Sequence, residues 1–251
     1  MMEALVLAGG EGSRLAAAGT PKPLVEIGGR PLVVRLVDEL ASLGFPRVTC
    51  MARDDLVDAM RDRLRGAAVP TVVCGCRTPS SLHTLALGLA TLEDGPVFCT
   101  MVDTLMPRDD WRRVHEGLSS ALARGADAVL AVTPFVDDET PLYAGVDPSG
   151  RITGLGAAPI GSPRVTGGVY GFAPSARRAA AEAVRAGQQR LRVFLTSAVD
   201  AGMRVVGVEV PRILDIDRPS DVSAAERWLA EPSPGGVSGG RSSPDGEGGD
   251  A

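Results

Sequence analysis

The chain has 251 residues, of which 44% are apolar and 23% charged, with a net charge of −5. That is material for one large domain or two small ones, and no basic field advertises a nucleic-acid partner. No stretch approaches the ~20 apolar residues needed to cross a bilayer, and the opening MMEALVLAGG lacks the basic region and apolar length of a secretory signal. The expectation is a cytoplasmic protein, monomer or homodimer, with no membrane partner.

In chain order, Met2–Ala8 is an apolar run ending in glycines and reads as a buried strand. Pro31–Leu43 has helical periodicity, with proline at the start and Gly44 beyond the end. Strands at Arg47–Met51, Thr71–Cys74, Val97–Val102 and Ala126–Val132 then alternate with helices at Asp54–Leu64, Ser80–Leu92 and Asp109–Ala123. That rhythm predicts βαβ units around a mainly parallel sheet. After Pro134 the pattern changes. Leu142–Val146 and Arg151–Leu155 flank the turn DPSG as a β-hairpin, and Val165–Phe172 is a further strand. Helices at Ser175–Ala186, Leu191–Ala201 and Ser220–Leu229, with strands at Met203–Val210 and Ile213–Ile216, complete the chain. Residues 1–231 read as one domain, divided into halves near 133/134. Residues 232–251, rich in Gly, Ser and Pro, read as a disordered tail. The cysteines Cys50, Cys74, Cys76 and Cys99 all fall in apolar strand-like runs. They read as reduced core residues, and the Cys74-x-Cys76 pair has no second pair at zinc spacing. His83 reads as a half-exposed helix residue and His115 as part of a solvated helix face.

Chemistry concentrates where the first strand ends. Gly9-Gly10-Glu11-Gly12-Ser13-Arg14 lets backbone N–H groups approach phosphate oxygens, because glycine carries no Cβ. It is not a Walker A loop, since no Gly-Lys-Ser/Thr follows, nor a dinucleotide fingerprint, since Leu15 stands at the last glycine. Thr20-Pro21-Lys22-Pro23-Leu24 comes next, and the prolines are expected to stiffen the segment and hold Lys22 extended. Arginine offers a planar fork to phosphate oxygens, and lysine a point charge.

The succession LAGGEGSRL, then PKPL, resembles the signature of the sugar-phosphate nucleotidyltransferases, the NDP-sugar pyrophosphorylase-like superfamily. The resemblance spans residues 2–230 and is weaker in the middle. It implies a three-layer, Rossmann-like (GT-A-like) α/β fold with a mixed, mainly parallel sheet. It also implies transfer of a nucleoside monophosphate from an NTP to a small phosphorylated acceptor, releasing pyrophosphate. Arg14, Lys22 and Asp103 would be the catalytic residues. Leu7, Ala8, Gly9, Gly10, Gly12, Ser13 and Arg14 would bind the nucleotide, with Ser80 and Ser81 near the base. Mg²⁺ would be held by Asp103 and by Asp215 and Asp217 of Ile213–Asp221, which looks like the family's acidic segment with Arg218 in place of its threonine. Asp217 could instead cap the last helix, and Asp221 would lie in that helix's first turn. Val102 stands where the family has glycine. Gly167, Gly168 and Tyr170 would lie under the acceptor. The Glu-Lys-Pro of hexose 1-phosphate members is replaced by Ala157-Ala158-Pro159, and Arg164 is the expected substitute cation. The acidic run Asp137-Asp138-Glu139 gives a lean towards an amine-bearing acceptor. Two other readings stay open: a GT-A glycosyltransferase using an NDP-sugar, and a catalytically silent nucleotide-sugar-binding protein.

Overall fold

A computed structural model describes residues 2–10, 15, 19–136 and 140–230. Glu11–Arg14, the acidic run Asp137-Asp138-Glu139 and the 232–251 tail therefore lie outside the described residues.

Strand β1 (Glu3–Ala8) sets the architecture. It lies between two parallel neighbours, β4 (Val48–Arg53) and β6 (Val97–Met101). With strands on both sides and helices on both faces, it has no solvated side, so a near-continuous apolar run is what this position requires. Alternation then divides its side chains: Ala4, Val6 and Ala8 enter one core, and Leu5 and Leu7 the other.

The first core is covered by α1 (Leu32–Ser42), α2 (Val57–Arg63) and α4 (Arg108–Ala123). The second is covered by α3 (Ser81–Ala90), α5 (Pro174–Arg185) and α6 (Leu191–Asp200). Helices, sheet and helices make three layers. The sheet is ordered β10-β9-β11-β6-β1-β4-β5, with β8 (Ala128–Thr133) paired to β11 (Val165–Phe172) and to β12 (Val205–Glu209). Pairings from β6 through β1 and β4 to β5 (Thr71–Cys76), and between β8 and β12, are parallel. Strand β11 runs antiparallel to β6 and β8. The sheet thus continues across residue 133. The predicted hairpin forms as β9 (Tyr143–Val146) and β10 (Ile152–Gly156).

The sequence reading missed short elements. Gly28 and Gly29, at φ 57° and 73°, turn a hairpin between β2 (Glu26–Ile27) and β3 (Arg30–Pro31), a glycine pair suited to a two-residue loop. β7 (Thr104–Leu105) pairs with β13 (Leu214–Asp215). The last helix is α7 (Pro219–Ala230). A third, smaller core joins these pieces through Val25, Ile27, Leu105, Leu214, Ile216 and Ala225. His115 is corrected: it is half-buried, edge-on to Phe45 at 5.2 Å and close to Phe98, and burial lowers its pKa. All four cysteines are free thiols. Among the described residues no helix is long and apolar enough to cross a membrane.

Arg177 of α5 fastens two layers of helix to loop. Its guanidinium donates to the carbonyls of Leu89 (2.7 Å), Leu92 (3.2 Å), Glu93 (2.6 Å) and Gly95 (2.8 Å). Of these, Leu89 lies in the last turn of α3, where carbonyls lack i+4 partners, and the other three lie in the loop that follows. Arg177→Met is expected to lower the unfolding free energy by roughly 2 kcal/mol, the scale for hydrogen bonds to a charged group. Urea titration measures it. Arg177→Lys should recover less than half, because one ammonium cannot span four carbonyls.

Candidate active site

The centre of the site is a lysine between two carboxylates. Pro21 is extended (φ −59°, ψ 138°), but Lys22–Leu24 forms a 3₁₀ turn closed by Leu24 N–H to the Pro21 carbonyl at 2.9 Å. The expected extended backbone at Lys22 is therefore corrected. Pro23 lies where the turn asks for no N–H, so the prolines stiffen a turn rather than a strand. Lys22 Nζ donates to Asp103 Oδ2 at 2.6 Å and to Asp217 Oδ1. The Lys22 and Asp103 side chains are only 14% and 12% exposed, so these charges interact through little water. Burial alone would lower the lysine pKa, but Asp103 and Asp217 outweigh it and raise it. Lys22 is therefore a fixed cation.

Each partner is positioned by the fold. Asp103 follows β6 at the carboxyl edge, where open α/β sheets bind ligands. Val102 N–H donates to the Leu7 carbonyl at 3.1 Å, fixing that exit. Asp215 ends β13, and the Thr104 hydroxyl donates to it at 3.5 Å. At the start of α7 the capping carboxylate is that of Asp221, not Asp217. Asp221 Oδ2 accepts from the backbone N–H groups of Asp217 (2.9 Å) and Arg218 (2.8 Å), reaching back over the first turn of α7. The Asp217 carboxylate is left to face Lys22. The third core holds Leu15 and the strands beside Lys22, Asp103 and Asp215, so one small apolar cluster fastens the carriers of the site.

Two clefts open at the carboxyl edge of the sheet, and the smaller is lined in part by this cluster. One, of about 450 Å³, opens at the carboxyl ends of β1, β4 and β5, lined by Gly9, Arg53, Asp54, Cys76, Arg77 and Thr78. A Cβ on Gly9 would stand 3.1 Å from both Cys76 Sγ and the Thr84 methyl. Only glycine lets the chain pass there without displacing the floor. Gly10 meets open space. The other, of about 180 Å³, opens over β6 and β11 and is lined by Asp103, Asp215, Asp217, Thr166, Tyr170 and Arg192 among others. Tyr170 is buried, and burial followed by Asp215 raises its pKa, so its hydroxyl remains a proton donor.

The expected residues distribute unevenly. Leu7, Ala8, Gly9 and Gly10 lie at the nucleotide-sized cleft or the strand leading to it. Ser81 instead lines the smaller cleft, and Ser80, at the N-terminus of α3, holds His83 Nδ1 at 2.9 Å. Gly12, Ser13 and Arg14 lie outside the described residues. Gly168 and Tyr170 line the smaller cleft. The glycine pair has a second reason besides ligand approach. A Cβ on Gly167 would run into Ile213, and one on Gly168 would lie 2.9 Å from Met101, so the pair lets the β7–β13 ribbon pack against β11. Arg164 lines neither cleft; its guanidinium pairs with Glu209 of β12. Ala157–Pro159 are exposed beyond β10. Thr166, which opens the segment Thr166–Tyr170 expected under the acceptor, also lines the smaller cleft, whereas Arg192 was not among the expected residues.

Among the described residues no three His, Cys, Asp or Glu side chains converge closely enough to form a complete metal cage. The donors at the seam are all carboxylate oxygens, and two of them already grip a cation, the Lys22 ammonium. That set fits a hard ion such as Mg²⁺, which takes one or two carboxylates and completes its shell with water and substrate phosphate.

Comparison with known proteins gives the family and the fold. Residues 4–201 match the family described as MobA-like NTP transferase domain. The chain is 30% identical over 239 residues to a 2-C-methyl-D-erythritol 4-phosphate cytidylyltransferase from Frankia casuarinae, covering 92% of this chain and 82% of the relative. An inositol-1-phosphate CTP transferase from T. maritima superposes with TM-score 0.74 at 22% identity, over 90% of this chain and 96% of that one. A UDP-glucose pyrophosphorylase complexed with UDP-glucose gives TM-score 0.72 at 14% identity, over 91% and 98%. The last two likenesses are of fold.

Proposed function

The chain belongs to the MobA-like NTP transferase domain family, and from that membership we propose that it transfers a nucleoside monophosphate, with cytidine favoured, from an NTP to a phosphorylated polyol. The observation that carries this reading is the Lys22 ammonium seated between Asp103 and Asp217, two carboxylates that also line the smaller cleft. The relatives named for CTP and for cytidylyl transfer are also named for phosphorylated polyols, which supports base and acceptor alike. The nucleotide would take the larger cleft and the acceptor the smaller, with the α-phosphate at the seam.

The reaction follows from that placement. An acceptor phosphate oxygen attacks the α-phosphorus; its new P–O bond forms as the bond from the α-phosphorus to the bridging oxygen breaks, and pyrophosphate leaves with that electron pair. No general base is required, because a phosphate monoester is largely ionised at neutral pH (second pKa about 6). The chain contributes position and charge. Lys22 would turn from its carboxylates to the α-phosphate oxygens, where negative charge gathers in the transition state. Mg²⁺ would be held by one or two carboxylates of the set Asp103, Asp215 and Asp217, and would supply neutralisation of the triphosphate when bound. Four free thiols suit a reducing compartment, and we place the protein in the cytoplasm.

The test is a pyrophosphate-release screen of five NTPs against sugar, polyol and aminoalcohol phosphates. CTP with a polyol phosphate is expected to lead. Glucose 1-phosphate is expected to be at least tenfold poorer in kcat/KM, since the relatives named for CTP and for cytidylyl transfer are named for polyol phosphates and a mismatched hydroxyl pattern forfeits hydrogen bonds. If glucose 1-phosphate leads, the acceptor reading fails; if no pair releases pyrophosphate, the transferase reading fails.

A further inference from the structure

We propose that Arg192 binds the acceptor's phosphate and so restricts this enzyme to phosphate monoesters of small hydroxylated molecules. The proposal rests on the transferase reading above and deepens it.

The argument begins with charge. The smaller cleft presents three carboxylates, Asp103, Asp215 and Asp217. Any phosphate entering it would be repelled unless cations stood close by, and the Mg²⁺ proposed for these carboxylates would also have to answer the charge of the triphosphate. Lys22 is engaged with Asp103 and Asp217 at the seam, and its charge is committed to the nucleotide side. Arg164, the cation expected from the sequence, is held by Glu209 and does not line the cleft. Among the described residues that line it, Arg192 is the one cationic side chain.

Position and geometry agree with that role. Arg192 lies in the first turn of α6, whose Leu191 and Leu195 bury their side chains in the second core and also line the cleft. The helix therefore fixes the base of the arginine against the sheet. One guanidinium N–H donates to the Thr140 carbonyl at 3.0 Å. A neutral carbonyl steers the side chain without cancelling its charge. No carboxylate pairs with it among the described residues. A guanidinium has five donors in a planar fork, so several remain for two phosphate oxygens, the bidentate arrangement at which arginine excels. Around it, Ser81, Thr166 and Tyr170 offer hydroxyls suited to a polyol. The cleft, at about 180 Å³, admits a small acceptor and excludes a macromolecule.

The experiment compares wild type, Arg192→Met and Arg192→Lys, with CTP as donor and inositol 1-phosphate and erythritol 4-phosphate as acceptors. Arg192→Met is expected to raise acceptor KM about 10- to 100-fold, the scale of a lost charge-assisted contact. The dissociation constant for CTP with Mg²⁺, measured by calorimetry, should stay within about twofold of wild type, and Arg192→Lys should fall between. The pH profile gives a second readout. In wild type, acceptor KM should fall as pH rises through about 6, where the monoester gains its second charge; in Arg192→Met that fall should flatten. An unchanged acceptor KM, or an equal loss of CTP affinity, overturns the proposal. So does a lower melting temperature with unaltered acceptor KM, which would make Arg192 only a tether for Thr140. Direct titration with inorganic phosphate separates this proposal from the transferase reading. If wild type turns over no acceptor yet binds phosphate more tightly than Arg192→Met, the transferase reading fails and the Arg192 assignment stands. Equal phosphate binding by both removes Arg192.

Discussion

Lys22→Ala is expected to lower kcat about 100- to 1,000-fold, with a smaller change in the KM for NTP. The scale is that of removing one preorganised donor from a developing charge. The asymmetry follows from the charge of the α-phosphate, which is felt most strongly in the transition state, so the lost contact is worth more there than in the ground state. Stability carries a second signature. In the wild type the ammonium separates Asp103 from Asp217. Without it two carboxylates face each other in a site where Asp103 is largely buried, and such an uncompensated pair costs free energy. The melting temperature of Lys22→Ala should therefore drop in EDTA and recover when millimolar Mg²⁺ is added. Lys22→Met, which keeps the apolar stem, should show the same kinetic defect. Steady-state pyrophosphate release and thermal melts check both halves. Turnover equal to wild type would remove Lys22 from the mechanism.

Much of this site was legible in the sequence because its parts lie at ends of regular elements. An apolar run closing on Gly9-Gly10 reads as a buried strand meeting a phosphate loop, and a strand closing on Asp103 reads as the carboxyl edge. What could not be read was which side chains meet. Lys22 reaches residues 81 and 195 positions away, and nothing local announces that pairing. The sequence offers Asp217 as a possible helix cap and puts Asp221 in the first turn, and only the fold shows that Asp221 is the carboxylate that turns back to the backbone. Arg164 and Arg192 were both available cations. Arg164 was chosen for its nearness to Ala157-Ala158-Pro159 in sequence, but it pairs across to Glu209 of β12, whereas Arg192 comes from a helix start that only the tertiary fold brings over β11. His115 shows the same limit. Its helix has charged neighbours on both sides, yet the histidine points at Phe45, because the boundary of an amphipathic face is set by what packs against it. The β2–β3 hairpin was signalled by Gly28-Gly29 and simply overlooked, being two residues per strand.

Removal of divalent metal is expected to abolish turnover, and the three aspartates should differ in how they share that loss. With EDTA, pyrophosphate release should fall to background and return with Mg²⁺, because triphosphate charge left unneutralised opposes an anionic nucleophile. Asp103→Asn removes a carboxylate that is both buried and bonded to Lys22. Asp215→Asn removes one on the wall of the smaller cleft. Each should raise the half-saturating Mg²⁺ concentration by about tenfold or more, the scale of one lost charge-assisted contact. Were Asp217 a helix cap, Asp217→Asn would be nearly silent, since asparagine caps as well as aspartate. The cap belongs to Asp221, and Asp217 faces Lys22 from a more exposed position, 41% against 12% for Asp103. Its substitution is therefore expected to raise the Mg²⁺ requirement too, by less than that of Asp103, because water screens its charge. Asp221→Ala serves as the contrast: it should lower the melting temperature by loosening the start of α7, and leave the Mg²⁺ titration close to wild type. Activity that persists in EDTA would end the metal reading. An Asp217→Asn titration that overlays wild type would remove Asp217 from the ligand set while leaving Asp103 and Asp215 in it.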